Sequence, residues 1–350
     1  MLHYSFFNHT LEFAFDARTS RGDIKKHNAY IIEVYDVLNS SIIGRGEASP
    51  LSGLSIDSHD DFENQLKNIL QELNNGLKLE AIDLSSLPSI RFGLETALAD
   101  LHFGGKMKVF DNKFIQGKAI PINGLIWMAD KHKMLQEAQE KIGKGFKCIK
   151  LKVGNLDFDE ECRLIESIRN NHSSHKLELR LDANGAFEPN EALEKLKELH
   201  RYEIHSIEQP ILPKQEDWME EICAKSPIQI ALDEELIGVN AKDIGLALIK
   251  KIKPKYLILK PTLIGGFSAC DYWIKIANRE NIGWWLTSAL ESNIGLNAIA
   301  QYASFLKVKN YQGLGTGSIY HNNFTSPLHV ENGYLKFSEI KKWIFNENDL

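Results

Sequence analysis

From Ile120 onward the chain keeps a beat. Short β-rich runs recur at near-regular intervals: AIPINGLIW, KCIKLKV, LELRLDAN, IHSIEQP, IQIALDE, KYLILKP, IGWWLTS and NYQGLGTG. Helical patterns such as KMLQEAQEKIGKG, FDEECRLIESIRN and NEALEKLKELHRY fill the gaps. Strands alternating with helices build βα units, and βα units imply a parallel sheet. Eight of them fit an α/β barrel of TIM type. The competitor is an open doubly wound sheet, and no GxGxxG follows the first strand to support it.

The first ~115 residues read differently. HNAYIIEVYDV (27–37) predicts a strand, and DFENQLKNILQEL (61–73) and LETALADLHF (94–103) predict helices. Strands followed by helices suggest an α+β unit. The tail, 328–350, is too short for a domain and is expected to fold back on that first unit. A chain of 350 residues has room for both parts, at roughly 150 residues per small domain and more for a barrel.

Composition removes several function classes. The net charge is −6 with no long basic run, which argues against nucleic acid. No apolar stretch reaches the ~20 residues that span a bilayer, so no membrane partner is expected. The start, MLHYSFFNHTLEF, lacks the basic-then-apolar layout of a signal peptide. Cys148, Cys162, Cys223 and Cys270 are scattered without a CxxC, as reduced thiols in a cytoplasm would be. Sequons such as those at Asn8, Asn171 and Asn323 then carry no meaning.

Barrel chemistry gathers where the strands end at their C-terminal side. The second strand ends with Lys150 and Lys152, the third with Asp182 and Asn184, the fourth with Glu208. The fifth ends with Asp233 and Glu234, and the sixth with Lys260. The seventh and eighth end at TSALES and GLGTGS. One acid at a strand end is ordinarily a helix cap, and one lysine in an apolar strand ordinarily snorkels to water. Here Lys, Asp, Glu, Asp and Lys follow one another on five successive strands. Three inward carboxylates repel unless a cation sits among them, and hard oxygen ligands suit Mg²⁺. Lys-x-Lys keeps two ammonium groups on one strand face, so each can depress the pKa of the other toward the working range of a base.

That series resembles the enolase superfamily, in its muconate-lactonizing subgroup, and the likeness covers nearly the whole chain. The resemblance implies an α+β capping domain over 1–115, completed by 328–350, and a catalytic (β/α)7β barrel over 116–327. It implies Lys152 and Lys260 as the acid/base pair, and Asp182, Glu208 and Asp233 as ligands of Mg²⁺ or Mn²⁺. Lys150, Asn184 and Glu234 would stand beside them. The shared step of the superfamily is removal of a proton α to a carboxylate. Within it, TSRG (19–22), GRGEASPLSGLS (44–55), RFGLETALAD (91–100), RLDANGAF and GLGTG (313–317) look most like the dehydratases of menaquinone synthesis, acting on a cyclohexadiene carboxylate. Dipeptide epimerases of the subgroup usually carry an acid pair at the eighth strand, where this chain has Gly-Leu-Gly-Thr-Gly. An epimerase or N-acylamino acid racemase therefore ranks second.

The expected substrate is a small carboxylate. Arg180 shares the inward face of Asp182, where it would support the mouth, meet a substrate carboxylate or partner one of the acids. Ser20, Arg21 and Gly22 form a candidate loop over the substrate. Ser288 and Gly315 are candidates to approach its tail, and Trp284 and Trp285 are expected in the core. A Schiff-base aldolase using Lys260 leaves the three acids unexplained. A barrel that only binds leaves the lysines unexplained as well. Oligomeric state is not legible.

Overall fold

The computed structural model describes residues 1–19 and 22–345. Two long strands, β1 (Leu2–Thr19) and β2 (Gly22–Asp36), form an antiparallel hairpin, and β3 (Asn39–Ala48) extends it. Helices α1 (Phe62–Asn74) and α2 (Pro88–His102) cover one face. Their apolar stripes meet Tyr4, Tyr30, Ile32 and Val34 in a core of their own. The helix α2 lies directly on β3. A Cβ at Gly46 would stand 1.9 Å from the Gly93 carbonyl, and one at Gly44 2.2 Å from that of Ala97. The glycines of GRGEA therefore set the helix-to-sheet distance.

Ile120–Pro121 (β4) leads into the parallel sheet. Its strands are β5 (Gly124–Ile126), β6 (Cys148–Lys152), β7 (Glu178–Asp182), β8 (Ser206–Glu208), β9 (Gln229–Leu232), β10 (Tyr256–Leu259) and β11 (Gly283–Leu286). They lie side by side in chain order, curled into one seven-stranded sheet. Residues 312–313 bridge its two edges, Gln312 pairing in parallel with Ile122 and Gly313 with Thr287. Between the strands run α3 (Lys131–Gly143), α4 (Phe158–Asn171), α5 (Pro189–His200), α6 (Glu216–Lys225), α7 (Leu246–Ile252), α8 (Pro261–Ile264), α9 (Gly266–Arg279) and α10 (Asn293–Phe305). Strand alternation sorts the side chains. Ile149, Leu151, Leu179, Leu181, Ile207 and Ile230 face the helices in the main core. Lys150, Arg180, Ser206, Ala231, Ile258 and Trp285 alternate with that set and face inward.

Local chemistry starts the helices where the pattern placed them. Asp130 accepts from Lys133 N at 3.0 Å to cap α3, and Asp157 accepts from Asp159 N at 3.1 Å to cap α4. The helix α10 is capped twice. Ser292 Oγ accepts from Ile294 N at 3.1 Å, and the fully buried Glu47 of β3 accepts from Ser292 N and Gly295 N, both at 2.8 Å.

The tail touches both units, with Phe337 packing 5.8 Å from the Phe114 ring. Leu328–Glu331 (β12) and Tyr334–Phe337 (β13) form a hairpin whose second strand pairs with β4, at the start of the parallel unit. Further on, Phe345 reaches the first unit, where the Arg45 guanidinium lies 4.4 Å over its ring. Among the described residues no helix is long and apolar enough to cross a membrane.

Candidate active site

The strand order brackets the acids. The strands β7, β8 and β9, which lead to Asp182, Glu208 and Asp233, lie between β6, which carries Lys152, and β10, which leads to Lys260. Asp182 pairs directly with both Lys152 and Glu208 in the sheet register. A cavity of about 730 Å³ opens above them, lined by Lys150, Lys152, Asn184 and Lys260 and roofed in part by Leu51–Leu54.

The polar groups interlock. Lys150, 5% exposed, donates to Asp182 Oδ2 at 2.8 Å and to both Glu208 oxygens at 3.0 and 3.1 Å. Lys152 reaches the same Asp182 Oδ2 at 2.9 Å and also bonds Asn184 Oδ1. Both lysines of Lys-x-Lys thus serve one face, as the period of a strand requires. Asn184, at φ 45°, donates through Nδ2 to Glu234 Oε1 at 2.9 Å and turns its oxygen toward Lys152. Across the mouth Lys260 bonds Asp233 Oδ2.

Charge here is governed by burial against counter-charge. Burial works against the Lys150 ammonium, but Asp182 and Glu208 outweigh it and hold it well above the usual lysine range. Burial also works against the Asp182 carboxylate, and Lys150, Lys152 and Lys260 hold it far below the usual acid range. For Lys260, the acids Asp233, Glu208 and Glu234 overcome burial and keep the ammonium charged. Burial raises Asp233, and Lys260 offsets only part of that rise. The pair reads as an ammonium facing a carboxylate, because Lys260 Nζ sits on Asp233 Oδ2.

Asp182, Glu208, Asp233 and Glu234 outnumber the three lysines by one, and all four are at least nine-tenths buried. Hard oxygen donors with surplus negative charge are the chemistry of a divalent cation site. Among the described residues no three acids, histidines or cysteines already converge on one point, because the lysines hold the carboxylates. The donor set fits such a cation once the carboxylates turn from their lysines.

Other expected residues distribute differently. Arg180 faces inward but lies beneath the mouth and does not line the cavity. Its Nε donates to Glu178 at 2.7 Å, its Nη1 to the Tyr311 carbonyl at 3.0 Å, and it stacks 3.9 Å over Trp285. Two residues along a strand is ~6.6 Å of depth, enough to take it out of reach of the site acids. Trp285 is therefore core inside the sheet's concave face, while Trp284 is half-buried. Ser288 lines the cavity, yet its hydroxyl is spent. It donates to Glu291 Oε2 at 2.6 Å and accepts from Thr316 Oγ1 at 2.8 Å and Leu290 N at 3.1 Å. Gly315 lines the cavity with only ordinary contact distances around it. Ser20 and Arg21 lie outside the described residues; Gly22 opens β2 at φ 113°. Pattern reading missed Thr287, Asn123 and Gly313, all at the cavity wall. A glycine two residues before Gly315, on a strand whose neighbour carries a branched hydroxyl, was the available signal.

The enolase C-terminal domain-like family model matches residues 133–341, and that of the MenC N-terminal domain matches residues 3–101. The o-succinylbenzoate synthase of Desulfotalea psychrophila is 40% identical over 92% of this chain and 95% of its own. The crystal structure of MenC from Desulfotalea psychrophila covers 96% of this chain and 99% of its own at 37% identity, with a TM-score of 0.84. A dipeptide epimerase from Enterococcus faecalis, solved with Mg and the dipeptide L-Leu-L-Tyr, shares the fold at 19% identity. Its TM-score is 0.79, over 97% of this chain and 98% of its own.

Proposed function

This chain belongs to the o-succinylbenzoate synthase family of the enolase superfamily, and on that premise we infer that Lys152 is the base of its dehydration reaction. It is a lyase of menaquinone biosynthesis by that kinship. The substrate in this reading is 2-succinyl-6-hydroxy-2,4-cyclohexadiene-1-carboxylate, a small anion, and loss of water makes the aromatic product. The observation that carries it is the pair of lysines bracketing buried acids, one from β6 and one beyond β10.

Lys152 removes the proton α to the carboxylate. The same ammonium then delivers that proton to the leaving hydroxyl, giving syn elimination. Lys260, on the other side, keeps its charge and stabilises the negative charge that develops on the substrate. Asn184, held by Glu234, orients Lys152 toward the cavity. Asp182, Glu208 and Asp233 would hold a divalent cation, Mg²⁺ or Mn²⁺, which supplies positive charge beside the substrate carboxylate. The catalytic unit is read as a (β/α)7β barrel over 116–327, with 312–313 as its last stave and 1–115 as its cap; the two bridges of that segment support this. Four unpaired cysteines support a reducing, cytoplasmic setting.

The test is a parallel assay of purified protein with Mg²⁺. Dehydration of the cyclohexadiene carboxylate, with little epimerisation of L-Ala-L-Glu, is expected. No acid lies between Gly313 and Gly317 to hold a dipeptide ammonium. Epimerisation without dehydration would reverse the assignment.

A further inference from the structure

Gln209, next to Glu208 at the end of β8, is wholly buried and sits in the left-handed backbone region at φ 41°. Glycine takes that conformation without steric cost, and a residue with a long side chain is strained there. The side chain uses its whole bonding capacity. A primary amide has two lone pairs and two N–H groups. Oε1 accepts from Asp233 N at 3.3 Å and from Glu235 N at 3.2 Å. Nε2 donates to Glu235 Oε2 and to the Ile211 carbonyl, both at 3.0 Å. Glu235, 5% exposed, completes the clasp by accepting from Lys214 N at 2.8 Å.

These bonds form where the sheet stops. The register of β8 with β9 ends at Glu208 opposite Ala231, and Gln209 N donates to the Ala231 carbonyl at 2.9 Å. Asp233 lies two residues further on, beyond the end of β9, and the Gln209 side chain takes its N–H. One amide thus ties two site acids together: Glu208 is its neighbour in the chain, and Asp233 is its partner in space. Glu234 lies between the two bonded N–H groups, and it holds Asn184 against Lys152. Gln209 itself does not line the cavity.

We propose that Gln209 is a positioning residue of the cation site: it fixes where Asp233 stands relative to Glu208, and so sets the affinity for the divalent ion. The inference rests on the reading that Asp182, Glu208 and Asp233 hold that ion. Gln209 acts through the backbone of Asp233, which leaves the carboxylate to Lys260 and the ion. Hydrogen-bond partners that orient metal ligands typically carry about 10- to 100-fold of affinity.

The experiment is a calorimetric titration of full-length protein with Mg²⁺, without substrate. The variants are Q209N and Q209G. Both suit a left-handed backbone, and neither can reach residues 233 and 235. Each is expected to raise the Kd for Mg²⁺ roughly 10- to 100-fold. The swap Q209E/E235Q keeps the net charge. Its carboxylate at 209 accepts both backbone N–H groups, and its amide at 235 donates back across the same contact. The swap is expected to return Kd to within about threefold of wild type. An unchanged Kd in either single variant overturns the proposal. A fall in melting temperature with Kd level does so too, because the clasp would then serve the fold alone. A swap that binds as weakly as Q209N also overturns it, because repairing the contact would not repair the site. If one single variant does not fold, the other decides. Wild-type protein that binds no Mg²⁺ overturns the cation reading and this inference with it; wild-type binding matched by the single variants overturns this inference alone.

Discussion

His27 gives the chain a built-in sensitivity to acid. It lies on β2 opposite Leu11, almost wholly enclosed, with no partner for Nε2 among the described residues. Burial alone pushes its pKa from 6.5 down to about 4. The folded protein therefore refuses a proton that the unfolded chain accepts. Because the folded value is the lower one, stability is untouched above pH 6.5 and is lost as pH falls toward 4. Within that window each step of one pH unit removes about 1.4 kcal/mol, so the loss reaches about 2.5 kcal/mol near pH 4.5. With an unfolding entropy of about 2.1 cal/mol/K per residue, 350 residues translate that into about 3–4 °C of melting temperature. His27→Leu removes the titrating group and keeps an apolar side chain of similar size. Melting curves of both proteins from pH 8 to 4.5 should run together or with a constant offset above pH 7, then diverge by about that amount. Other buried acids titrate in the same window, but they are common to both proteins and cancel in the difference. Parallel curves over the whole range would refute the reasoning, because they would mean that the folded imidazole takes its proton freely.

Lys152→Arg should lose at least 10²–10⁴-fold in kcat, because a guanidinium does not give up its proton near neutral pH, whereas Lys260→Arg should retain part of the activity. The opposite pattern in steady-state kinetics would exchange the two roles. Exhaustive chelation should abolish dehydration and added Mg²⁺ should restore it, while Asp182→Asn should lose metal binding by calorimetry together with activity. Full activity after chelation would rule out a metal site. Gly46→Ala should cost at least about 3 kcal/mol, because the new methyl would stand 1.9 Å from the Gly93 carbonyl and a helix must move to admit it. A melting temperature equal to wild type would show that α2 can yield.

Much of the site was legible because strand period carries chemical information. Lys150, Lys152 and Asp182 had to share a face once β6 and β7 were recognised, and they meet at one carboxylate oxygen. Depth was not legible. Arg180 obeys the same alternation as Asp182, yet it belongs to a lower layer with Glu178 and Trp285. Hydrogen-bond occupancy was not legible either. Ser288 looked available, and only the fold shows Glu291 turning back three residues to claim it. In the first unit, β1 carries polar and apolar residues without a clean alternation and shifts register between Glu12 and Ala17, which hid an 18-residue strand. The hairpin of the tail pairs with β4 through backbone groups, and side-chain patterns say little about which edge a strand will choose.

Glu47 and Ser292 are 245 positions apart in the chain, and this changes how the molecule must be assembled. A growing polypeptide makes β3 early and α10 late, so the last helix of the parallel unit receives its cap only when the two ends of the chain have met. A fragment beginning near residue 116 would carry α10 with one of its two caps missing. The boundary visible in the pattern of strands and helices is thus not a boundary of cooperativity. Loosening either unit should be felt in the other. In hydrogen exchange, amides at the start of α10 should open together with those of β3, even though no covalent neighbour links them.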